Sequence, residues 1–283
     1  MSKQVVYITG TSSGFGRDLV HQLADRGHKV IATARSLSKI EDLAKLENVK
    51  TQQLDVTDTV DNLKKKVDEA ITFFGKIDIL VNNAGHGLIG CFEESSELEI
   101  KQQFDTNFFG TVNLTQIFLK YFRSTKTQSI ISTVTSMGGS VAFPTLGAYV
   151  STKFALEGFY EALDQEVKVS QLPIKVLILA PGAFKTNIVA NNKKAERVID
   201  DYQPIKDKME QFFKSVESDG GSSAIGAKLM ADAMLGEGFA KGKEVPLRLP
   251  IASDAVNITL DKFKKETEVY EAWRPFASES DAK

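Results

Sequence analysis

Tyr149 and Lys153 stand four residues apart in AYVSTKFALEG, and Ser136 precedes the tyrosine by thirteen. On a helix, residues i and i+4 share a face, so this spacing sets a phenol beside an ammonium. A neighbouring cation favours the ionised phenol and lowers a pKa that is about 10 in free tyrosine. The same spacing also suits a tyrosine at a helix start with a solvated lysine one turn on. Support for chemistry must come from elsewhere in the chain.

It comes first from TGTSSGFG, where Gly10, Gly14 and Gly16 follow the apolar run QVVYI. Glycines between a strand and a helix allow a tight turn and close approach of a pyrophosphate, and the helix N-terminus then offers amides and a positive dipole end to it. The GxxxxGK[ST] pattern is missing, so a dinucleotide is favoured over ATP. At the end of the second apolar run, KVIATARS, Ala34 and Arg35 stand where a carboxylate would accept bonds from the adenosine ribose of NAD. An arginine there can pair with a 2′-phosphate through its planar fork, which points to NADP(H); a solvated surface arginine is the alternative.

The elements that must position these groups are legible as alternation. QVVYITG, HKVIATA, VKTQQLDV, IDILVNNAG, SIISTVTS and IKVLILAPG read as strands buried on both faces. Helical stripes lie between them, among them Phe15, Leu19, Leu23 and Ala24, then Leu63, Val67, Ala70 and Phe74. Strand and helix alternate from residue 4 to about 180, which predicts a parallel sheet with right-handed crossovers and helices on both faces. No linker or repeat divides the 283 residues, so one domain is expected over 1–283: a core to residue 190, then lid, final strand and terminal helix over 191–283. PIKDKMEQFFKSV and SSAIGAKLMADAML predict helices, the second capped by Ser222 or Ser223. KEVPLRLP predicts a strand, SDAVNITLDKFKKETEVYEAW a helix capped by Ser253 or Asp254, and SESDAK a disordered tail.

With these pieces in order, the chain resembles the short-chain dehydrogenase/reductase family, in its single-domain branch of about 250 residues, from residue 4 to about 190. Seven motifs carry the resemblance: TGxxxGxG as Thr9 to Gly16; Asp55 followed by Val56 in LDVTD; Asn82, Asn83, Ala84 and Gly85; Asn107 in TNFFGT; Ser136; Tyr149 with Lys153; and Pro181, Gly182 and Thr186 as PGxxxT. It implies a Rossmann-type doubly wound sheet with C-terminal lid helices, and a carbonyl reductase-like NADP(H) oxidoreductase. It implies Tyr149 as general acid/base, with its pKa lowered by Lys153, which also holds the nicotinamide ribose. Ser136 would stabilise the substrate oxygen, and Asn107 would hold a water linking the lysine to solvent. Asn107 could instead cap or kink its helix, and Thr133, Thr135 and Ser140 lie close to Ser136, which the spacing to Tyr149 singles out. Cofactor contacts are implied for Gly10, Thr11, Ser12, Ser13, Gly14, Phe15, Gly16, Arg35, Asp55, Val56, Asn83, Ala84, Gly85, Tyr149, Lys153, Pro181, Gly182 and Thr186. Alternatives are an NAD-preferring alcohol dehydrogenase and a non-catalytic dinucleotide sensor; the latter typically loses the tyrosine or lysine.

The family builds its substrate pocket after NNAG, after the serine and after PG. Here those segments and the following helix offer His86, Leu88, Ile89, Met137, Val141, Phe143, Leu146, Phe184, Val189, Met209, Phe212 and Phe213. That mostly apolar set suits hydrophobic or aryl ketones, although the face could equally be core or subunit contact. Phe154, Gly158, Ala162 and Gln165 form a stripe on the YxxxK helix that predicts a homodimer or homotetramer. A net charge of −2 gives no footprint for nucleic acid or an anionic membrane. The lone Cys91 excludes an internal disulfide framework, and the three histidines form no metal spacing with it. With no signal peptide or membrane span legible, a cytoplasmic protein is expected.

Overall fold

Val5, Tyr7 and Val6, Ile8 of the first strand are all buried, and they alternate between two separate apolar clusters. Period-2 alternation with both faces apolar requires helices on each side of the sheet. The computed structural model, which describes residues 3–186 and 192–281, supplies them. In chain order the elements are β1 (Val5–Ile8), α1 (Gly14–Asp25), β2 (Lys29–Ala34), β3 (Val49–Gln53), α2 (Val60–Phe74), β4 (Ile79–Asn82), β5 (Leu88–Ile89), α3 (Glu97–Phe104), α4 (Gly110–Thr125) and β6 (Ser129–Val134). There follow α5 (Gly147–Val169), β7 (Ile174–Pro181), β8 (Phe184–Lys185), β9 (Lys193–Lys194), α6 (Gln203–Asp219), β10 (Gly221–Ser222), α7 (Ser223–Leu235), β11 (Arg248–Ile251) and α8 (Ser253–Ser278).

Seven strands form one parallel sheet in the order β11-β7-β6-β4-β1-β2-β3. Leu19, Val20 and Leu23 of α1 and Met230, Ala231 and Met234 of α7 cover one face. Leu63 and Val67 of α2, Leu114 and Phe118 of α4, and Leu156 and Tyr160 of α5 cover the other. This is the doubly wound arrangement expected. Its chain order reverses direction between β1 and β4, and ligands of such sheets bind beyond the carboxyl ends of the strands at that point.

Some predicted boundaries differ. Ser222 occupies the N-cap of α7, but its side chain makes no capping bond. The N-cap of α8 is Ala252, at φ +86°, because Asp254 is drawn away: its carboxylate accepts the Ala183 amide at 2.7 Å. Ser278, placed in a disordered tail by composition, ends α8 as helix. No helix among the described residues is long and apolar enough to cross a membrane. Large apolar side chains remain exposed along α8, including Tyr270, Trp273 and Phe276.

Candidate active site

Beyond the carboxyl ends of β1, β4 and β6 opens a cleft of about 380 Å³. One end is the glycine turn. Gly10 and Gly14 adopt φ of +72° and +54°, a region that costs side chains but not glycine. A Cβ on Gly10 would lie 2.7 Å from the Ala84 Cα, and one on Gly16 would lie 2.4 Å from the Asn83 amide nitrogen and the Gly10 carbonyl. The turn therefore seats against NNAG: Asn83 Nδ2 donates to the carbonyls of Thr9 and Gly10 at 2.9 and 3.0 Å, and Thr9 Oγ1 accepts the amides of Asn83 and Ala84 at 3.0 and 2.9 Å.

Gly10, Ser12, Ser13, Gly14, Phe15, Arg35, Asp55, Val56, Asn83, Ala84, Gly85, Pro181, Gly182 and Thr186 all line this cleft. Thr11 and Gly16 do not. Thr11 is buried beneath the turn, its amide and hydroxyl both donating to the Thr33 carbonyl, so it fixes the turn to β2. Gly16 provides the close helix approach instead. Arg35 is exposed at the cleft, without an ion pair among the described residues, and Lys39, which the sequence reading missed, lines the cleft beside it. Glycines clearing the way to a helix N-terminus fit the pyrophosphate of a dinucleotide.

At the other end stand Ser136, Tyr149 and Lys153. Ser136 follows β6, accepts the Gly138 amide at 3.0 Å, and directs its own hydroxyl proton at the Tyr149 phenol. Lys153 is buried, and its ammonium donates to the Val134 carbonyl at 2.9 Å. Its nitrogen lies 5.7 Å from the centre of the Tyr149 ring. Burial pushes the amine down to about 8, partly countered by Glu157. Tyr149 corrects an expectation: its pKa is raised, not lowered. Burial outweighs the hydrogen bond from Ser136, and the Lys153 ammonium is committed to Val134 rather than directed at the phenol. Thr145, just before α5, adopts φ +61°, an unusual backbone for a β-branched residue.

Asn107 sits in a π-helical turn, Asp105–Phe109, between α3 and α4. Such one-turn widenings often mark functional sites. It does not line the cleft. Its Oδ1 accepts the His86 amide at 3.1 Å, and its Nδ2 donates to the His86 carbonyl at 2.9 Å and to Thr152 Oγ1 at 3.2 Å. Its polar atoms thus brace the segment after NNAG against α5.

Of the residues expected to form a substrate pocket, only some line the cleft. Met137, Leu146, Phe184, Phe212 and Phe213 line it together with His86. Phe143 and Met209 pack behind, Phe143 stacking on Phe212 with ring centres 6.3 Å apart. Leu88 is buried in the pairing of β5 with β9, and Val141 faces a separate hollow under α8. Val189 lies outside the described residues. Thr106, Asn192, Lys193 and Val216 also line the cleft and were missed. Burial lowers His86 to about 4, assisted by Lys193, Arg35 and Lys153, so its imidazole is neutral at pH 7.

The segment that carries α6 is tied down on both sides. β8 pairs with β10 after α6, and β9 pairs with β5 before it. The buried Glu94 accepts the Cys91 amide at 2.9 Å, the Ile199 amide at 2.9 Å and Lys206 Nζ at 2.8 Å, and these bonds hold its carboxyl at about 2. Cys91 is packed beside it, its thiol pKa raised by burial.

The family model of short chain dehydrogenases matches residues 4–197. A 3-ketodihydrosphingosine reductase of Bacteroides thetaiotaomicron is 38% identical over 196 residues, covering 69% of this chain and 70% of that one. A short-chain dehydrogenase structure from Streptomyces avermitilis superposes with a TM-score of 0.87 at 31% identity, over 99% of this chain and all of the other. A family structure from Burkholderia phymatum in complex with NAD shares the fold, with a TM-score of 0.80 at 22% identity over 96% and 95% of the two chains. The chain belongs to the short-chain dehydrogenase/reductase family of oxidoreductases.

Proposed function

We propose that this chain is an NADP(H)-dependent oxidoreductase interconverting a ketone or aldehyde with its alcohol, with hydrophobic or aryl carbonyls as substrates. The carrying observation is that Ser136, Tyr149 and Lys153 meet in the same cleft as the glycine turn and Arg35. The same fold accommodates NAD in the Burkholderia phymatum protein, so the cofactor assignment rests on Arg35 and Lys39 rather than on architecture.

When bound, a nicotinamide supplies or accepts the hydride. The chain's groups handle the proton and the charge. Ser136, its oxygen already accepting the Gly138 amide, donates its proton toward the substrate oxygen and stabilises the negative charge growing there. Tyr149 gives its proton to that oxygen in reduction and takes it back in oxidation. A phenol is protonated at neutral pH, and the burial that raises this one makes it harder to use as the base in oxidation. Lys153 would hold the cofactor's ribose side, its ammonium anchored by the Val134 carbonyl 5.7 Å from the centre of the Tyr149 ring. Phe212, Phe213, Leu146 and Met137 exclude water around the carbonyl. The exposed stripe Phe154, Gly158, Ala162 and Gln165 on α5 supports a symmetric homodimer or homotetramer: space beside Gly158 is open, although Lys262 of α8 already covers part of Phe154.

A panel of apolar ketones, aldehydes and alcohols, followed by nicotinamide absorbance with NADPH and NADH, tests the reading. NADPH-dependent turnover of at least one aryl or aliphatic ketone is expected. Tight dinucleotide binding with no turnover across the panel would instead favour a non-catalytic sensor.

A further inference from the structure

Glu157 follows Lys153 by one turn of α5 and is 4% exposed. A carboxylate so enclosed is costly unless fully partnered, and replacing such a pair by apolar side chains is often neutral or stabilising. Its presence therefore calls for a reason besides stability. Both of its oxygens are engaged. Oε1 accepts the hydroxyl of Thr135, the residue immediately before Ser136, at 2.7 Å. Oε2 accepts Nε of Arg248, on β11, at 2.6 Å. The turn that carries Ser136 also rests on it, since a Cβ on Gly139 would come within 2.8 Å of the Glu157 Cγ and Oε1.

We propose that Glu157 is a positioning residue of the catalytic centre, fixing the Ser136 turn through Thr135 and sustaining the charge of Lys153 through its own. This rests on the functional reading above. The geometry gives each half of the role a separate path. The serine path is a chain of contacts from Glu157 through Thr135 and Gly139 to Ser136. The lysine path is electrostatic: the carboxylate favours the ammonium that burial disfavours. Other charges bear on the same place. Arg248 is shared between Glu157 and Glu161 on α5, and from the cleft side the neutral His86 feels both Lys153 and Arg35. Arg248 holds the Glu157 carboxylate against Thr135, which ties the last strand of the sheet to the serine turn.

The test is Glu157→Gln beside Arg248→Gln. The readouts are the titration of the Lys153 amine by nitrogen NMR in the cofactor-free protein, and the pH dependence of NADPH affinity and of turnover. Glu157→Gln is expected to move the Lys153 midpoint below that of the parent and to weaken NADPH binding by about three- to tenfold at pH 8, with less loss at pH 6. Arg248→Gln removes a like charge and so should leave the midpoint in place or raise it. An unchanged midpoint in Glu157→Gln, or equal downward shifts in both variants, would overturn the electrostatic half. Thr135→Val, which keeps the carboxylate, tests the serine half even if Glu157→Gln fails to fold. It should lower kcat about tenfold or more with NADPH affinity unchanged; unchanged kcat would overturn that half. A parent protein that binds no dinucleotide would sink the functional reading instead, and the NMR titration would still report on Glu157.

Discussion

Replacing Lys153 by methionine is expected to stabilise the protein while removing its activity. In the folded chain burial brings the Lys153 amine from 10.5 down to about 8. A depressed lysine means that the unfolded chain binds more protons between those two values. The parent's stability from this group therefore rises with pH across that window, and below about pH 8 the full cost of keeping the ammonium buried is present. That depression corresponds to a cost of at most about 3 kcal/mol. Methionine, similar in length and apolar, lifts that cost but leaves the Val134 carbonyl without its donor, a loss of about 1 kcal/mol. Glu157 keeps Arg248 and Thr135 as partners, so no bare buried carboxylate results. A net gain of about 1–2 kcal/mol at pH 7 follows. Urea unfolding followed by circular dichroism, on parent and variant at several pH values, measures it. The advantage of the variant should shrink as pH rises above 8. A Lys153→Met protein less stable than its parent at pH 7, or an advantage independent of pH, would refute the reasoning. Turnover and NADPH affinity should fall together, because the one side chain is assigned both jobs.

Tyr149→Phe keeps the ring and removes the transferable proton, so steady-state reduction should fall by about 10²–10⁴-fold while NADPH affinity, measured by fluorescence titration, changes little; retention of more than a tenth of parent activity would contradict the acid/base role. The parent should prefer NADPH over NADH by roughly 1–3 kcal/mol in kcat/KM, and Arg35→Asp should weaken or reverse that preference; equal use of both cofactors by the parent would contradict it. Glu94→Gln should loosen the lid, raising KM for the carbonyl substrate more than the Kd for NADPH. Because the folded-state pKa of Glu94 is held at about 2, its contribution to stability is present above about pH 4.5 and lost as pH falls toward 2, so acid unfolding curves of parent and variant should converge there. Light scattering at micromolar concentration should report a dimer or tetramer, and a monomer would count against the α5 interface.

What could be read from the chain before its structure divides by the range of the interactions concerned. The strands and their flanking helices follow from local periodicity, and the glycine turn from residues that only a turn of positive φ requires, as Gly10 and Gly14 confirm. The cleft-lining set at the cofactor end was legible for the same reason: it lies on the strand ends that the alternation locates. Where the reading failed, the deciding partner was distant in sequence. Asp254 looked like a helix cap because aspartate before an apolar run normally is one. It is claimed by the Ala183 amide, 71 residues away, and packs so close to Gly182 that a Cβ there would be 2.0 Å from its Oδ1. Val141 and Leu88 had the right chemistry for a pocket and the right neighbours in sequence, yet β5–β9 pairing and the approach of α8 turn them elsewhere.

The Tyr149–Lys153 pair shows the limit most sharply. Helical spacing correctly puts the two side chains near each other, but spacing along one helix says nothing of the third group that competes for the ammonium. That group is the Val134 carbonyl, 19 residues upstream, presented by the end of β6. The phenol's environment is set by the lid and loop side chains that bury it as much as by its nearest cation. Under the proposed mechanism, a tyrosine whose pKa is raised in the cofactor-free chain starts as the proton donor. Its conversion to a base, needed for oxidation, must draw on charge beyond what Lys153 supplies in the present arrangement. Measured on this protein, the phenol of Tyr149 should therefore titrate above about 10 without cofactor, by ultraviolet difference titration against Tyr149→Phe. A value below that would show that Lys153 reaches the phenol unaided, and would restore the simpler account in which the pair alone prepares the base.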